Sequence, residues 1–171
     1  MMAAVDPRPS QKAAAAFLYA LAELDAAELG ALRRAARKPL GADVQTYDLF
    51  RDLFHRVRRE YPVAKWVCYL VARLYASHPT HGGKGNLGDV LRTLRPAPQP
   101  KEPRERFDKR FLRLLDARDQ RALATELAAW VRILTDADRP VPWASLFDDL
   151  AHWYRPGQPV QTAWAQSYFN A

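Results

Sequence analysis

The residues of this chain that could do chemistry are few and poorly placed to cooperate. His78 and His81 stand three apart around Pro79 and lead into Gly82, Gly83, Lys84, Gly85 and Asn86. Two imidazoles could begin a tetrahedral zinc site, but they sit in a glycine loop and no second His/Cys pair follows. Cys68 is the single cysteine, and a nucleophilic thiolate needs an electropositive, partly exposed setting. Its neighbours Val67, Tyr69, Leu70 and Val71 are the company of a small buried hydrophobe. His55 lies among arginines and His152 beside Trp153, positions that suit a structural or solvent-facing ring. Asp148 and Asp149 are consecutive, so on a helix they point apart and make a poor acid–base dyad. The loop HGGKGN lacks the G-x-x-x-x-G-K-[ST] spacing of a nucleotide P-loop. No catalytic residue, metal or cofactor is expected.

What remains is anion chemistry. Arg33, Arg34, Arg37 and Lys38 close a helical stretch, AAELGALRRAARK, with no acid among them. Two readings fit this cluster: it complements the negative end of the helix dipole, or it binds an anion. The glycine loop is equally double. It feeds a short helix with Leu87, Val90, Leu91 and Leu94 on one face and Asn86 at its N-cap position. It could hold a phosphate at that helix start, or be a loop capped by an ordinary surface helix. Arg92 and Arg95 lie on the polar face, near the C-terminal end.

The totals agree with a polyanion partner. The net charge is +7 and the isoelectric point about 9.8, a balance that favours a polyanion partner and says nothing about fold. Residues 1–98 hold 15 Lys and Arg against 9 Asp and Glu, whereas residues 99–171 hold 11 against 10. The five Trp and seven Tyr fall mostly at helical core spacing and read as packing residues. No helix-turn-helix signature stands out, so contact with the backbone is expected rather than reading of base edges. One cysteine rules out an intramolecular disulfide and suits a reducing cytoplasm, the expected location. No apolar run approaches the roughly 18 residues that span a bilayer, so no membrane is expected as a partner. Met1–Gln11, with Asp6, Pro7 and Pro9, lacks a signal-peptide pattern.

The elements that must position these residues are all helices. Ser10 is placed to cap a first helix reaching about Leu24, and Asp25 with Glu28 forms the start of a second that stops before Pro39. Thr46 starts a third, with Leu49, Phe50, Leu53, Phe54 and Val57 inward and Asp48 and Asp52 spaced to pair with Arg51 and Arg56. Pro62 suits the first turn of a fourth. That helix carries Val63, Trp66, Val67, Leu70, Val71 and Leu74 as a wide apolar stripe ending at Ser77. Pro96, Pro98, Pro100 and Pro103 then make a stiff linker. Beyond it, Phe107, Phe111, Leu112, Leu114 and Leu115 share a helix with Lys109, Arg110 and Arg113. Asp119 caps the next; Pro142 and Pro159 open the last two, with Trp164 and Phe169 inward in the final one. With no alternating strand pattern, the chain reads as all-α. It divides into two small bundles, 1–98 and 99–171, joined by a Pro-rich linker, with about nine helices in all.

The order of motifs resembles one family. Leu32-Arg33-Arg34 is followed by Tyr69-Leu70-Val71-Ala72, by Leu74 to Pro79 (LYASHP) and by Gly85-Asn86-Leu87-Gly88. Next come Lys109 to Arg118 (KRFLRLLDAR), Val141 to Leu146 (VPWASL) and Trp164 to Phe169 (WAQSYF). From about Phe17 to its end the chain is similar to the CasB family, the small subunit of the type I-E CRISPR surveillance complex Cascade. The resemblance implies a non-catalytic helical subunit of an antiviral complex, present as two copies along its belly. Its implied partners are guide RNA and target DNA backbone, other Cascade subunits and a second copy of itself. It would contact the displaced strand and the backbone of the guide–target hybrid, while base pairing supplies sequence recognition. The nucleic-acid role passes to Arg33 and Arg34 at the matching basic helix end, and by extension to Arg37, Lys38, Arg92, Lys109, Arg110 and Arg113. Two places depart from the pattern: Asp89 stands where some relatives carry a base, and Ala128-Ala129 where a basic pair is frequent. The role also requires arginines such as Arg33, Arg34, Arg92 and Arg110, on separate helices, to converge into one electropositive track.

Overall fold

Helix α4 (Lys65–Ser77) is the axis of the molecule, with every residue from Val67 to Ala76 buried. A helix buried all round must have neighbours on every side. In a computed structural model that describes residues 9–38, 44 and 46–170, α4 packs against α1 (Pro9–Ala22), α2 (Ala26–Ala35), α3 (Tyr47–Arg58), α7 (Gln120–Asp136) and α8 (Trp143–Ala151). The remaining elements are α5 (Leu87–Arg92), α6 (Lys101–Leu115) and α9 (Pro159–Phe169). The described residues thus hold nine helices and no strand. Pro39, expected to end α2, lies outside the described residues, as do Met1–Arg8 of the segment tested for a signal peptide.

Packing joins elements distant in sequence. Helix α1 lies along α8, where Phe17 meets Phe147 at 5.4 Å between ring centroids. Helix α5 packs on α9 so closely that a Cβ on Gly88 would lie 2.3 Å from the Trp164 carbonyl oxygen. Only glycine permits that approach. Buried side chains from α1 through α9 form one continuous cluster.

The caps are where local chemistry is plainest. Asp25 accepts from the Glu28 N–H at 2.8 Å, and the Glu28 carboxylate accepts from the Asp25 N–H at 2.9 Å, closing the box expected before α2. Asp119 caps α7 by accepting from the Ala122 N–H at 2.8 Å. Pro159 occupies the first turn of α9.

Four local expectations change. Helix α1 already includes Pro9, so Ser10 lies inside its first turn, and its hydroxyl donates across the molecule to Asp148 of α8. Helix α4 starts at Lys65 rather than at Pro62. The chain before it runs so that Tyr61 and Val63 pack on the core while Pro62 faces water, the period of extended backbone. Helix α6 starts at Lys101, with Pro103 in its first turn, where a missing N–H leaves no hydrogen bond unmade. In α9 it is Tyr168 that is buried, following Val160 and Trp164 at four-residue spacing, while Phe169 stands 39% exposed.

Candidate nucleic-acid interface

The C-terminal turn of α2 is held down by a buried arginine. Arg73, 5% exposed on α4, donates through Nη2 to the Ala35 carbonyl at 2.8 Å and also to the Lys38 carbonyl. The Ala35 carbonyl belongs to the negative end of α2 and the Lys38 carbonyl to the turn after it, a place where a cation is favoured and its burial is compensated. The Arg73 guanidinium also lies 5.3 Å from the Tyr69 ring centroid. Arg33 reaches across in the same direction, its Nε donating to the Ala76 carbonyl at 3.1 Å. The end of α2 is therefore pinned against the end of α4, with Arg37 and Lys38 exposed beyond it.

Two adjoining grooves open where this turn faces α7. One, of about 360 Å³, is lined by Arg37, Lys38, Arg73, Arg121, Thr125 and small alanines. The other, of about 290 Å³, is lined by Arg33, Arg37, Arg132, Ser77, Thr135 and apolar neighbours. Both include Ala36, Arg37 and Ala128, so they run into one another. Among the described residues no Asp or Glu lines either. Along α7, Arg121, Thr125, Ala128, Arg132 and Thr135 recur at three- and four-residue steps and so share one face. From Arg121 to Arg132 that face extends about 16 Å. A row of cations with hydroxyls between them and no competing carboxylate can grip successive phosphates, the guanidinium forks at two points each.

Of the eight expected basic residues, Arg33, Arg37 and Lys38 meet in these grooves. Arg34 is exposed and lines neither; its Nη1 folds back to within 3.5 Å of the place a Cβ on Gly30 would occupy. Arg92 donates to the Asn170 carbonyl at the end of α9. Arg110 stacks over Trp130, 5.5 Å from its ring. Lys109 and Arg113 flank a separate groove of about 630 Å³ between α6 and α9, and Arg113 pairs with Glu126 at 2.8 Å. Arg33, Arg34, Arg92 and Arg110, expected in one track, each turn to a different neighbour, and none of the four lines a groove with another.

Three residues enter that the sequence reading omitted. Arg121 and Arg132 supply the α7 side of the grooves, and Arg73 lines the first of them. The repeat of Arg121, Ala128 and Arg132 on one helical face was a readable signal; Arg73 was hidden in an apolar run. The two departures also acquire reasons. Asp89 is the return half of a capping box: Asn86 accepts from the Asp89 N–H at 3.1 Å and Asp89 from the Asn86 N–H at 2.9 Å. Its carboxylate fills the start of α5, where a phosphate was considered, so that reading falls. Ala128 sits at the junction of the two grooves, where a long side chain would fill the space.

The other candidate chemistries are spent on structure. His78 is buried with Nε2 2.7 Å from the Arg139 carbonyl, whereas His81 Nε2 lies 3.3 Å from the Tyr75 hydroxyl. Burial pushes the Cys68 thiol up to about 12, far from thiolate reactivity. Asp149 accepts from the Trp164 indole at 2.7 Å, while Asp148 faces Ser10 and stands 3.6 Å from His152 Nδ1. Among the described residues no three His, Cys, Asp or Glu side chains group to hold a metal, and no helix is long and apolar enough to cross a membrane.

The family model for CRISPR-associated protein Cse2 matches residues 28–169. This chain belongs to the Cse2 family. A curated relative, the CRISPR-associated protein Cse2 of Thermus thermophilus, is 36% identical over 104 residues. That stretch covers 60% of this chain and 56% of the relative, so the match spans little more than half the length of the curated relative. Crystal structures of CasB from M. ruber and from Thermus thermophilus superpose with TM-scores of 0.72 and 0.71, each at 28% identity. Each comparison covers 96% of this chain, with 94% of the former protein and 100% of the latter. The all-helical fold is thus shared with both CasB proteins, and the grooves described above fall within the stretch matched to Cse2.

Proposed function

We propose that this chain is a non-catalytic small subunit of a type I-E CRISPR RNA-guided surveillance complex, Cascade, in antiviral defence. It grips nucleic-acid backbone without sequence choice and thereby stabilises the guide RNA–target DNA hybrid and the displaced strand. The observation that carries this reading is the pair of adjoining grooves whose described lining gathers Arg33, Arg37, Arg121 and Arg132, with Lys38 at the edge, and holds no Asp or Glu. Backbone contacts of this kind tip a strand exchange that is otherwise nearly balanced. Arg92, Arg110 and Arg34 contribute at most to the surrounding field.

The test is a salt titration of single-stranded DNA binding by the whole protein. Three to five engaged phosphates give a log–log slope of about −2 to −3.5. A slope near zero overturns the reading. Reversing Arg37 and Arg132 together to Glu should lower retention of target DNA by the assembled complex and flatten the slope, with no change in assembly.

A protein–protein role belongs to the α6–α9 groove. Leu112 stands 49% exposed there beside Lys109, Asp116 and Gln158. This face docks onto neighbouring subunits, including a second copy of the chain. As the alternative to nucleic-acid contact altogether, an assembly adaptor requires co-purification with partners after nuclease treatment and no affinity for DNA.

A further inference from the structure

An aromatic pair open to water lies in line with the basic grooves and belongs to neither. Tyr154, 48% exposed in the turn after α8, meets the partly buried Trp66 of α4 at 5.6 Å between ring centroids, the two planes tilted by 53°. The other four tryptophans, Trp130, Trp143, Trp153 and Trp164, are all buried.

The course of the two helices places this pair. Arg73 of α4 lines the first groove with Arg121 and Thr125 of α7, and Ser77 lines the second with Arg132 and Thr135. Helices α4 and α7 therefore run side by side in the same direction. One step back along α4, Trp66 precedes Arg73 by seven positions, so the two share a face about 10 Å apart. One step back along α7 is its start, and Tyr154 is held there. Its neighbour Trp153 donates its indole N–H to the Ala117 carbonyl at 3.4 Å. The aromatic pair thus stands just past the Arg121 end of the first groove, a short reach for a flexible strand.

Charge narrows the occupant. Lys65, exposed beside Trp66, stands with its Nζ 5.7 Å from the ring of Tyr47, itself 52% exposed. Asp119 lies within electrostatic reach of Tyr154, its carboxylate engaged by the Ala122 N–H. Partial burial first, and then Asp119, push the Tyr154 phenol up, so the ring stays neutral near pH 7. A carboxylate at this place repels a phosphate set on the ring but not a base, which carries no charge. An exposed ring between cations, reached from a row of arginines, fits the alternation of phosphate and base along a single strand, and stacking on it needs no particular sequence.

We propose that Tyr154, backed by Trp66, is a stacking platform for a base of the strand whose phosphates lie in the basic grooves. The proposal rests on the nucleic-acid reading above, and the experiment separates the two. The whole protein is titrated at low salt with a short oligothymidylate and with an abasic strand of equal length and charge. Oligothymidylate should bind about ten-fold more tightly, within the range that base stacking contributes. It should also quench the fluorescence of Trp66, which the abasic strand should leave unchanged, while the four buried tryptophans supply a constant background. Tyr154→Leu keeps an apolar side chain on Trp66 and removes the π-face. It should lower oligothymidylate affinity about ten-fold, to that of the abasic strand, with abasic affinity unchanged; Tyr154→Phe should keep the preference. Equal binding of the two strands by the unaltered protein overturns the platform and leaves the grooves standing. An equal loss for both strands in Tyr154→Leu overturns it as well, since the ring then acts through the shape of the groove. A Tyr154→Leu protein that keeps its preference but no longer co-purifies with other Cascade subunits makes this face a protein contact and overturns the platform. Binding of neither strand overturns the groove reading itself, and the platform falls with it.

Discussion

The groove between α2 and α7 and the knot joining α5, α6 and α9 are both built around arginine, and they use it in opposite ways. In the knot, Arg95 makes a two-point bond to Asp108 at 2.8 and 2.7 Å, and Asp108 also accepts from the Tyr168 hydroxyl at 2.6 Å. The guanidinium lies 5.1 Å from the rings of both Tyr168 and Phe169. The hydrogen bond from Arg95 holds the Asp108 carboxyl below its ordinary value, against the effect of burial. Burial first, and then the bond to Asp108, pushes the Tyr168 phenol upward. In the groove, by contrast, Arg33 spends one N–H on a carbonyl, and no carboxylate is among the described lining residues. An arginine whose fork is filled by an acid fastens the fold; one anchored only by its stem or a single N–H keeps capacity for an external anion.

This contrast can be broken at either end. Arg95→Ala should cost the most stability, about 2–3 kcal/mol, because it strands a mostly buried carboxylate. A thermal or denaturant midpoint reads that loss, and DNA affinity measured well below the midpoint should stay unchanged. A clear loss of affinity there would place Arg95 in the binding surface and erase the distinction. Gly88→Ala should follow at about 1–3 kcal/mol, since its Cβ would overlap the Trp164 carbonyl and push α5 off α9. Arg37→Glu should do the reverse of both: no shift in midpoint beyond about 0.5 kcal/mol, but a salt slope shallower by about one.

Acidity sharpens the same comparison. The folded-state value of Asp108 is lowered, so its contribution to stability is present above the ordinary carboxylate value of about 3.9. It is lost as pH falls through the lower folded value. Asp108→Asn should therefore flatten the acid limb of the stability curve below about pH 4, whereas Arg37→Glu should leave that limb's Asp108 contribution in place. Lys109→Glu marks the low end of the scale, with a change in stability and in DNA affinity near zero.

Much of the scaffold could be read from residue order. The capping box at Asp25 and Glu28, the cap at Asp119, Asn86 before α5 and Pro159 at the start of α9 are interactions within a few positions, and each stands where the spacing placed it. The inward stripe of α3 and the burial of α4 followed equally from period and composition. Errors arose where a distant partner competed. Ser10 forgoes a cap for Asp148, and the chain after Pro62 stays extended to seat Tyr61 and Val63. Tyr168 takes the buried place expected for Phe169 because its hydroxyl has Asp108 to meet. At the candidate site, Arg33, Arg37 and Lys38 were visible as a cluster on one helix end. Arg121 and Arg132 were legible as one face of α7, but a charge on that face has no meaning until α2 is set opposite it.

Sequence alone determined that this chain is helical, where most helices begin, which stripes they bury and that its charge favours a polyanion, all properties of neighbouring residues and of sums. The tertiary structure decided which arginines are consumed and which are offered. Whether a guanidinium meets a carboxylate, a carbonyl or water depends on helices brought together from far along the chain, and helical periodicity carries no record of that partner.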